Sequence, residues 1–572
     1  METKTTELDS GVLAYLRQAD ATYRNGFDDD EMKQVFLEGV FEEIQGSEVK
    51  LSLMKSTCFV IEQFVEQAQA EQLVQILQAF QTRFKEVAHS QQGCHVLQKA
   101  LQQVVILWQS HGLDQTEVFP DLCDVIIKSS DWLKQDDALT EWMTDTYATH
   151  VTRSIIETLG GIMLVHQHHN KESKISVVKQ KKDILLAKES LPKKFLLRLK
   201  KLVTLLSNLN KQSMAEILTD TSGCPCVCTL IQVLSLRLPK TLKRLCSQII
   251  TTCTKDNNST VLILCKDRTG SRAIEAIFEY GDLQSCLTLY SIFAQDQDTF
   301  LELACHPVAN FVIQKLISSN SLQDKFDETF ELLVPGIEDI FAENKYGVVQ
   351  KLAEQCLKHK SYQVKFLDTL MKTFHCEEED QKKFIIPLIA SFSTYDTFIT
   401  SGKKIPDLTN IVYHGALLLQ TLFKFSKTLL VSKSITVMPV RHSVSLACSI
   451  SGSHVIDSFV SSQTIKQKWK TKWFDKMKDQ FHVIACDKYG SRVIDNIWKS
   501  ADVDIKTMLA ECLAPQADVL LADQYGKHLH RNFGLRQFIH RRTEWDDFHA
   551  RQIKKRKVFE DLFADSGKKK KS

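Results

Sequence analysis

A serine, an arginine and, three residues further on, a carboxylate open a helical stretch at Ser271, Arg272 and Glu275. The same order returns 220 residues later at Ser491, Arg492 and Asp495. A hydroxyl and a carboxylate make hydrogen bonds at fixed points, while a guanidinium is a flat cation that stacks on flat partners. On a helix, residues one, three and four apart lie on neighbouring faces, so such a set can present three side chains to one ligand. A core reuses apolar positions and has no need to repeat an exposed Ser-Arg-acid set. The repetition therefore points to a ligand read more than once along its length.

Further copies share a template: a small residue, two variable ones, two mostly apolar ones, a polar one, then more apolar helix. The residue after the small one, its successor and the polar residue give eleven triplets. These are Cys58/Phe59/Glu62, Cys94/His95/Gln98, Thr149/His150/Arg153, Pro225/Cys226/Thr229, Ser271/Arg272/Glu275, Asn310/Phe311/Gln314, Val348/Val349/Leu352, Ala416/Leu417/Gln420, Ser453/His454/Asp457, Ser491/Arg492/Asp495 and Lys527/His528/Arg531. Their first members are spaced by 36, 55, 76, 46, 39, 38, 68, 37, 38 and 36 residues, and six of these ten gaps fall between 36 and 39, which is a period. A helical unit of that size cannot bury its apolar faces alone, and stacked units make one continuous core. The glycine before most triplets suits a loop-to-helix junction, through its backbone freedom and the close packing it allows.

The spacing predicts an all-α, right-handed α-solenoid of about eleven repeats over 46–535, flanked by an N-terminal helical cap (1–45) and a C-terminal helical extension with a basic tail (536–572). The long gaps hold polar stretches, HQHHNKESKISVVKQKKD and CEEEDQKK, and read as insertions near 162–190 and 376–408. With 10 prolines and 20 glycines in 572 residues, turn punctuation is sparse, which favours helix over sheet. No apolar run reaches a membrane span, FIIPLIASF (384–392) being the nearest, and METKTTELDSG has no secretory signal. The 16 cysteines therefore read as reduced thiols. CPCVC (224–228) lacks a second metal-binding half and reads as small residues at a helix start; HQHH (166–169) reads as a solvated loop.

Net charge is only +2, but residues 551–572 carry nine bases against three acids, a net of +6, leaving 1–550 at 2 − 6 = −4. Polyanion binding by the body must come from a local stripe. KKRK (554–557) and KKKK (568–571) suit a nuclear import signal, auxiliary phosphate contacts or a solvated end. LPKKFLLRLKKL (191–202) is an amphipathic basic helix with two open readings, phosphate contact or solvated face, and RQFIHRRTEW adds Arg541 and Arg542 beside the last repeat. There is no Gly-rich phosphate loop, metal constellation or nucleophile elbow, and FDDDE (27–31) reads as a helix start, so neither enzyme activity nor a cofactor is expected.

These triplets resemble those of the Pumilio (PUF) family of RNA-binding repeats, in which Gly-Ser-Arg-x-x-Glu or Gly-Asn-Tyr-x-x-Gln opens the concave helix of each unit. There the outer two side chains bond a base edge and the middle one stacks between bases, one base per repeat. Ser271/Arg272/Glu275 matches the guanine-reading type. Asn310/Phe311/Gln314 is close to the uracil-reading type with Phe in place of Tyr, and Ser491/Arg492/Asp495 is guanine-like with a shorter acid. Val348/Val349/Leu352 has no group to read a base edge. The repeat count, the insertions and the ending NFGLRQFIHRRTEWDDFHARQIKKRKVFEDLF are similar to the nucleolar branch of that family. The resemblance implies a C-shaped, monomeric protein of the nucleolus and nucleus. Its implied ligand is single-stranded small-subunit ribosomal RNA precursor, read by the triplets that start at Cys94, Thr149, Ser271, Asn310, Ser453, Ser491 and Lys527. Its implied role is in 40S biogenesis, shielding the 3′-end cleavage site, with ribosome-assembly factors or the 3′-end endonuclease as partners. Two other readings stay open: a protein-binding helical scaffold, favoured locally by Val348 and Ala416/Leu417, and a cytoplasmic Pumilio-type messenger-RNA regulator.

Overall fold

The computed structural model describes residues 10–111, 116–134, 138–164, 184–186, 191–254, 258–400, 408 and 411–552. HQHH and both lysine clusters of the tail lie outside these residues. The chain divides into two compact units, Met1–Lys325 and Phe326–Ser572. Every template copy coincides with a helix. In the first unit these are α1 (Cys58–Val65), α2 (Gly93–His111), α3 (Ala148–Leu159), α4 (Gly223–Arg237), α5 (Gly270–Tyr280) and α6 (Ala309–Ser318). In the second they are α7 (Tyr346–Lys358), α8 (Tyr413–Leu422), α9 (Gly452–Ser461), α10 (Gly490–Ser500) and α11 (Gly526–Asn532). Within each unit every one of these motif helices packs on the next. In the first unit an outer row, Ala70–Gln81, Phe119–Ser129, Lys193–Asn208, Pro239–Thr254 and Leu283–Phe293, stacks in the same order. Each unit is thus a helical-repeat solenoid, as the period predicts.

Among the described residues the only strands are Ile162–Leu164 and Ile184–Leu186, paired antiparallel with Met163 opposite Leu185. The fold is otherwise helical, and this short two-stranded ladder stands where the first insertion leaves and rejoins the solenoid. At the N-terminus, FDDDE is the start of a helix: Asp29 accepts from the Met32 N–H at 2.7 Å and caps Asp30–Glu43. At the other end, Trp545 is fully buried and donates from Nε1 to the Phe533 carbonyl at 2.8 Å, while Trp498 stacks on Phe533 at 3.9 Å between ring centroids. These aromatics close the last repeat against solvent.

Two local devices set most of the motif helices. An aspartate three residues before the glycine accepts hydrogen bonds from the next two N–H groups but one. Asp267 takes those of Thr269 (2.9 Å) and Gly270 (2.7 Å), and Asp220, Asp487 and Asp523 do the same for their repeats, as Asp145 does where alanine stands for glycine. In the α6 repeat His306 Nδ1 fills the role, and before α2 it is the Ser90 hydroxyl. Each cap satisfies orphan helix donors and is worth about 1 kcal/mol. The second device is proximity. A β-carbon on Gly93 would lie 2.6 Å from the Val87 carbonyl oxygen, and one on Gly223 2.7 Å from that of Ile217, six residues back on the preceding short helix. None of the motif glycines has a positive φ, so close packing, not backbone freedom, is why glycine stands there.

The same contact dates the second insertion. Gly415 meets the carbonyl of Ile389, 26 residues back instead of six, so the repeat carries 26 − 6 = 20 extra residues, all between 389 and 415. The apolar FIIPLIASF forms the buried helix Ile385–Ser391 that packs under α8 and belongs to the repeat, so the insertion is narrower than the 376–408 read from the polar stretch. No single helix among the described residues is long and apolar enough to cross a membrane.

Two substitutions separate the devices. Asp487→Ala is expected to cost about 1 kcal/mol in urea denaturation of the full chain. Gly490→Ala, which drives a methyl into the Ile484 carbonyl and the Cys448 sulfur, is expected to cost more, roughly 1–3 kcal/mol.

Candidate nucleic-acid interface

The triplets fall into a common pattern of burial. First residues are tucked in: Cys94, Thr149, Ser271, Asn310, Ser453 and Ser491 are all buried, and only Lys527 is exposed. Middle residues stand out: Phe59, His95, Arg272, Phe311, His454, Arg492 and His528 are exposed and His150 is half-buried. Third residues are half-buried at Gln98, Arg153, Gln314, Asp457 and Asp495, buried at Glu275 and exposed at Arg531. Each rung thus offers one projecting flat or cationic group beside a recessed polar one. The His95 and His150 rings of consecutive repeats sit 6.2 Å apart at 37°, and burial, aided by Arg153 and His95, lowers the pKa of His150.

Glu275 is the most telling third residue. Arg272 Nη1 donates to its Oε2 at 3.4 Å, while Oε1 is buried and has no hydrogen-bond partner. Burial raises its carboxyl pKa against the pull of Arg272. Asp457 has the same character: Oδ1 is buried without a partner, Oδ2 accepts from Asn496 at 3.0 Å, and burial raises its pKa. An unpaired buried acceptor is costly, and it is an opening for a donor supplied by a ligand. Elsewhere the third residues are engaged. Gln314 donates to Asn310 Oδ1 at 2.9 Å, Asn310 itself donates to the His306 and Pro307 carbonyls, and Asp495 pairs with Lys499 at 2.6 Å.

Two triplets are corrected. In α4 the cap on Asp220 and the contact of Gly223 align Gly223 with Gly270, so Cys224, Pro225 and Cys228 hold the triplet positions, each one residue earlier than Pro225/Cys226/Thr229. Cys226 and Thr229 are buried, and Cys226 packs against the Thr149 hydroxyl at 3.1 Å, so the CPCVC run is the start of α4 packed against α3. In α7, Val348, Val349 and Leu352 are each 1% exposed and are core. Gln350 occupies the third position instead, donating to Thr421 of α8 at 3.0 Å. That bond has counterparts in Arg153 to Thr229 at 3.3 Å and in Asn496 to Asp457, so the residue after one repeat's third position braces the third residue of the repeat before. These braces were not seen in the sequence; the recurring aspartate caps were visible there as D-x-x-G but passed over.

The basic stretches divide. On Lys193–Asn208, Lys194 pairs with Asp124 at 2.7 Å and Arg198 with Asp131, so part of that face is spent on ion pairs within the fold. Arg542 bonds Glu511 and Asp546 and lies 4.0 Å from the Phe538 ring centroid, so part of its charge is engaged within the fold. Arg531, Arg536, His540 and Arg541, the last paired with Glu544 at 3.6 Å, line one cavity of about 570 Å³ beside α11. The 16 cysteines are free thiols, and among the described residues no three metal-ligating side chains gather.

Stacked helical units with one recessed, one projecting and one half-buried residue per rung define a PUF-type solenoid. The NOP9-like PUF repeat domain matches residues 46–528, and the chain belongs to that family. It is 27% identical to Nucleolar protein 9 of Homo sapiens over 97% of this chain and 91% of that one, and 21% identical to Nucleolar protein 9 of Schizosaccharomyces pombe over 97% and 85%. The solved structure of APUM23-GGAUUUGACGG superposes with a TM-score of 0.77 at 20% identity, covering 95% of this chain and 99% of that one. The chain is accordingly a nucleolar, RNA-binding PUF-repeat protein of ribosome biogenesis.

One buried acid beside the row makes a pH prediction. Glu157 of α3 is 5% exposed, and burial, opposed by Arg153, pushes its pKa up from 4.5 to about 7. The folded state then holds a proton that the unfolded chain has released, so this contribution to stability is full below pH 4.5 and lost as pH rises through about 7. Glu157→Gln is expected to flatten that part of the stability profile, by at most about 3 kcal/mol, in urea titrations at successive pH values.

Proposed function

We propose that the projecting middle residues stack on the bases of a single-stranded small-subunit ribosomal RNA precursor while the recessed residues read base edges. In this reading the protein, acting as a monomer, shields the 3′-end cleavage site until maturation is due. The observation that carries it is the paired arrangement at α5. The exposed Arg272 guanidinium offers a stacking plane, and Glu275 Oε1 is an unpartnered acceptor placed for the imino or amino N–H of guanine. Asn310, Phe311 and Gln314 on α6 then read uracil, so a strand running antiparallel to the protein presents 5′-U-G-3′. Arg492 and Asp495, His454 and Asp457, His95 with Cys94 and Gln98, and His150 with Thr149 and Arg153 add rungs. Buried Cys94 serves there as packing beneath the stacked base. Lys527, His528 and Arg531 continue into the arginine-lined cavity, which suits a phosphate. The α4 and α7 rungs are passed over, so readout is partial.

The scaffold reading loses part of its local support, since Val348, Val349 and Ala416 are core while Leu417 stays half-buried. A cytoplasmic messenger-RNA role sits poorly with relatives that share a nucleolar name.

Fluorescence anisotropy with GGAUUUGACGG and with a small-subunit precursor RNA tests the reading. Arg272→Ala/Arg492→Ala is expected to lose roughly 2–6 kcal/mol over two stacked bases, with folding unchanged. Undiminished binding by that variant would place the RNA elsewhere. The imino and amino N–H groups of guanine donate most strongly to the ionised carboxylate of Glu275, so affinity is expected to weaken as pH falls through the raised Glu275 range, and Glu275→Gln is expected to abolish that dependence. Shielding is tested by titrating the protein into a 3′-end cleavage assay. Cleavage that persists at saturating protein sinks the shield while leaving RNA binding intact.

A further inference from the structure

The outer helices of the second unit enclose a groove of about 830 Å³ that the RNA reading leaves unused. It lies between Gln363–Thr373, Leu429–Val437 and Gln467–Met477, and none of its lining residues is on a motif helix. Its floor is aliphatic and open: Val364, Leu429 and Val437 are 49%, 59% and 50% exposed. Soluble surfaces seldom leave aliphatic side chains gathered this way without a partner. Its rim is cationic. Lys382 and Lys433 share Glu379, at 3.1 and 3.7 Å, whereas Lys383, Lys427, Lys466, Lys468 and Lys472 have no ion-pair partner among the described residues. This concentration stands out in a body whose net charge is negative, at 2 − 6 = −4 over residues 1–550.

The rim is rigidly mounted. Lys470 donates to the Ser462 carbonyl at 2.7 Å, and Lys476 donates to the Thr436 and Met438 carbonyls at 2.8 and 2.7 Å, tying Gln467–Met477 to the end of Leu429–Val437. Alternate lysines of one helix thus hold the groove while Lys468 and Lys472 face the opening.

We propose that this groove docks an acidic, aliphatic segment of a partner protein, its carboxylates on the lysine rim and its apolar side chains on Val364, Leu429 and Val437. Charge complementarity selects the acid, and the floor selects protein over RNA. Unpaired bases need flat rings to stack on. The one ring that lines the groove, Trp469, already has the Lys468 and Lys472 ammonium groups at 5.2 and 5.9 Å from its centroid. Methyl groups and methylenes suit leucine-like side chains instead. Because the groove shares no residue with the triplets, RNA and partner can bind together.

The test is selection of random displayed peptides on the full chain, followed by anisotropy of the enriched sequences made as free peptides. Enrichment of Asp/Glu interleaved with Leu, Ile or Phe is expected. The peptides should bind less tightly in higher salt and at least about tenfold less tightly to Lys427→Glu/Lys466→Glu/Lys472→Glu. Should that variant lose its melting transition, Lys427→Gln/Lys466→Gln/Lys472→Gln carries the comparison, with a smaller loss in the same direction. Failure to enrich such peptides, or equal binding to the variants, overturns the proposal. So does a selective loss of GGAUUUGACGG affinity in these variants without peptide enrichment, which would make the groove a phosphate surface.

Discussion

The arrangement depends on how near the start of each motif helix comes to the helix before it. Where the glycine lies, a carbonyl oxygen six residues back occupies the space a β-carbon would need, at Gly93 and Gly223 alike. That contact fixes the angle between two successive helices, and the aspartate cap fixes where the second one begins. Together they decide which residue points out and which is tucked in. Three residues of sequence become a rung only because these two constraints hold their register to within one position.

Much of this was legible in the chain itself. The period, the helical solenoid and the triplets at Ser271, Asn310, Ser453 and Ser491 follow from the spacing of glycine or alanine with its polar neighbours. The two misread repeats fail for physical reasons. Around Cys226, small residues alternate so evenly that any of them passes for the small position, and only the Asp220 cap settles the register. At α7 the usual turn is replaced: Asn344 adopts φ +58° and the Lys345 N–H reaches back to the Ile340 carbonyl. Gly347 then no longer marks the packing point, and Gln350 takes the third, recessed position. Nor could sequence show that Arg542 pairs with Glu511, since those two meet only in the fold.

In the proposed reading, recessed carboxylates carry the chemistry of selection because their environment makes them costly. Glu275 and Asp457 each keep one oxygen out of water without a donor, and burial raises both pKa values. A fold retains such a group at the expense of stability when a ligand restores what is missing. The cationic middle residues stand in water, and the proposal has bases cover them. That reading assigns affinity and discrimination to different side chains of one helical turn.

The braces from Thr229, Thr421 and Asn496 run between repeats, each one holding the third residue of the unit before it. The structural repeat and the unit of recognition therefore do not share a boundary. Exchanging a triplet as a cassette would leave behind the side chain that orients its recessed member and would import one suited to a different neighbour. A functional module of this solenoid is a helix turn together with one residue borrowed from the next helix, so that modularity here is offset and directional along the chain.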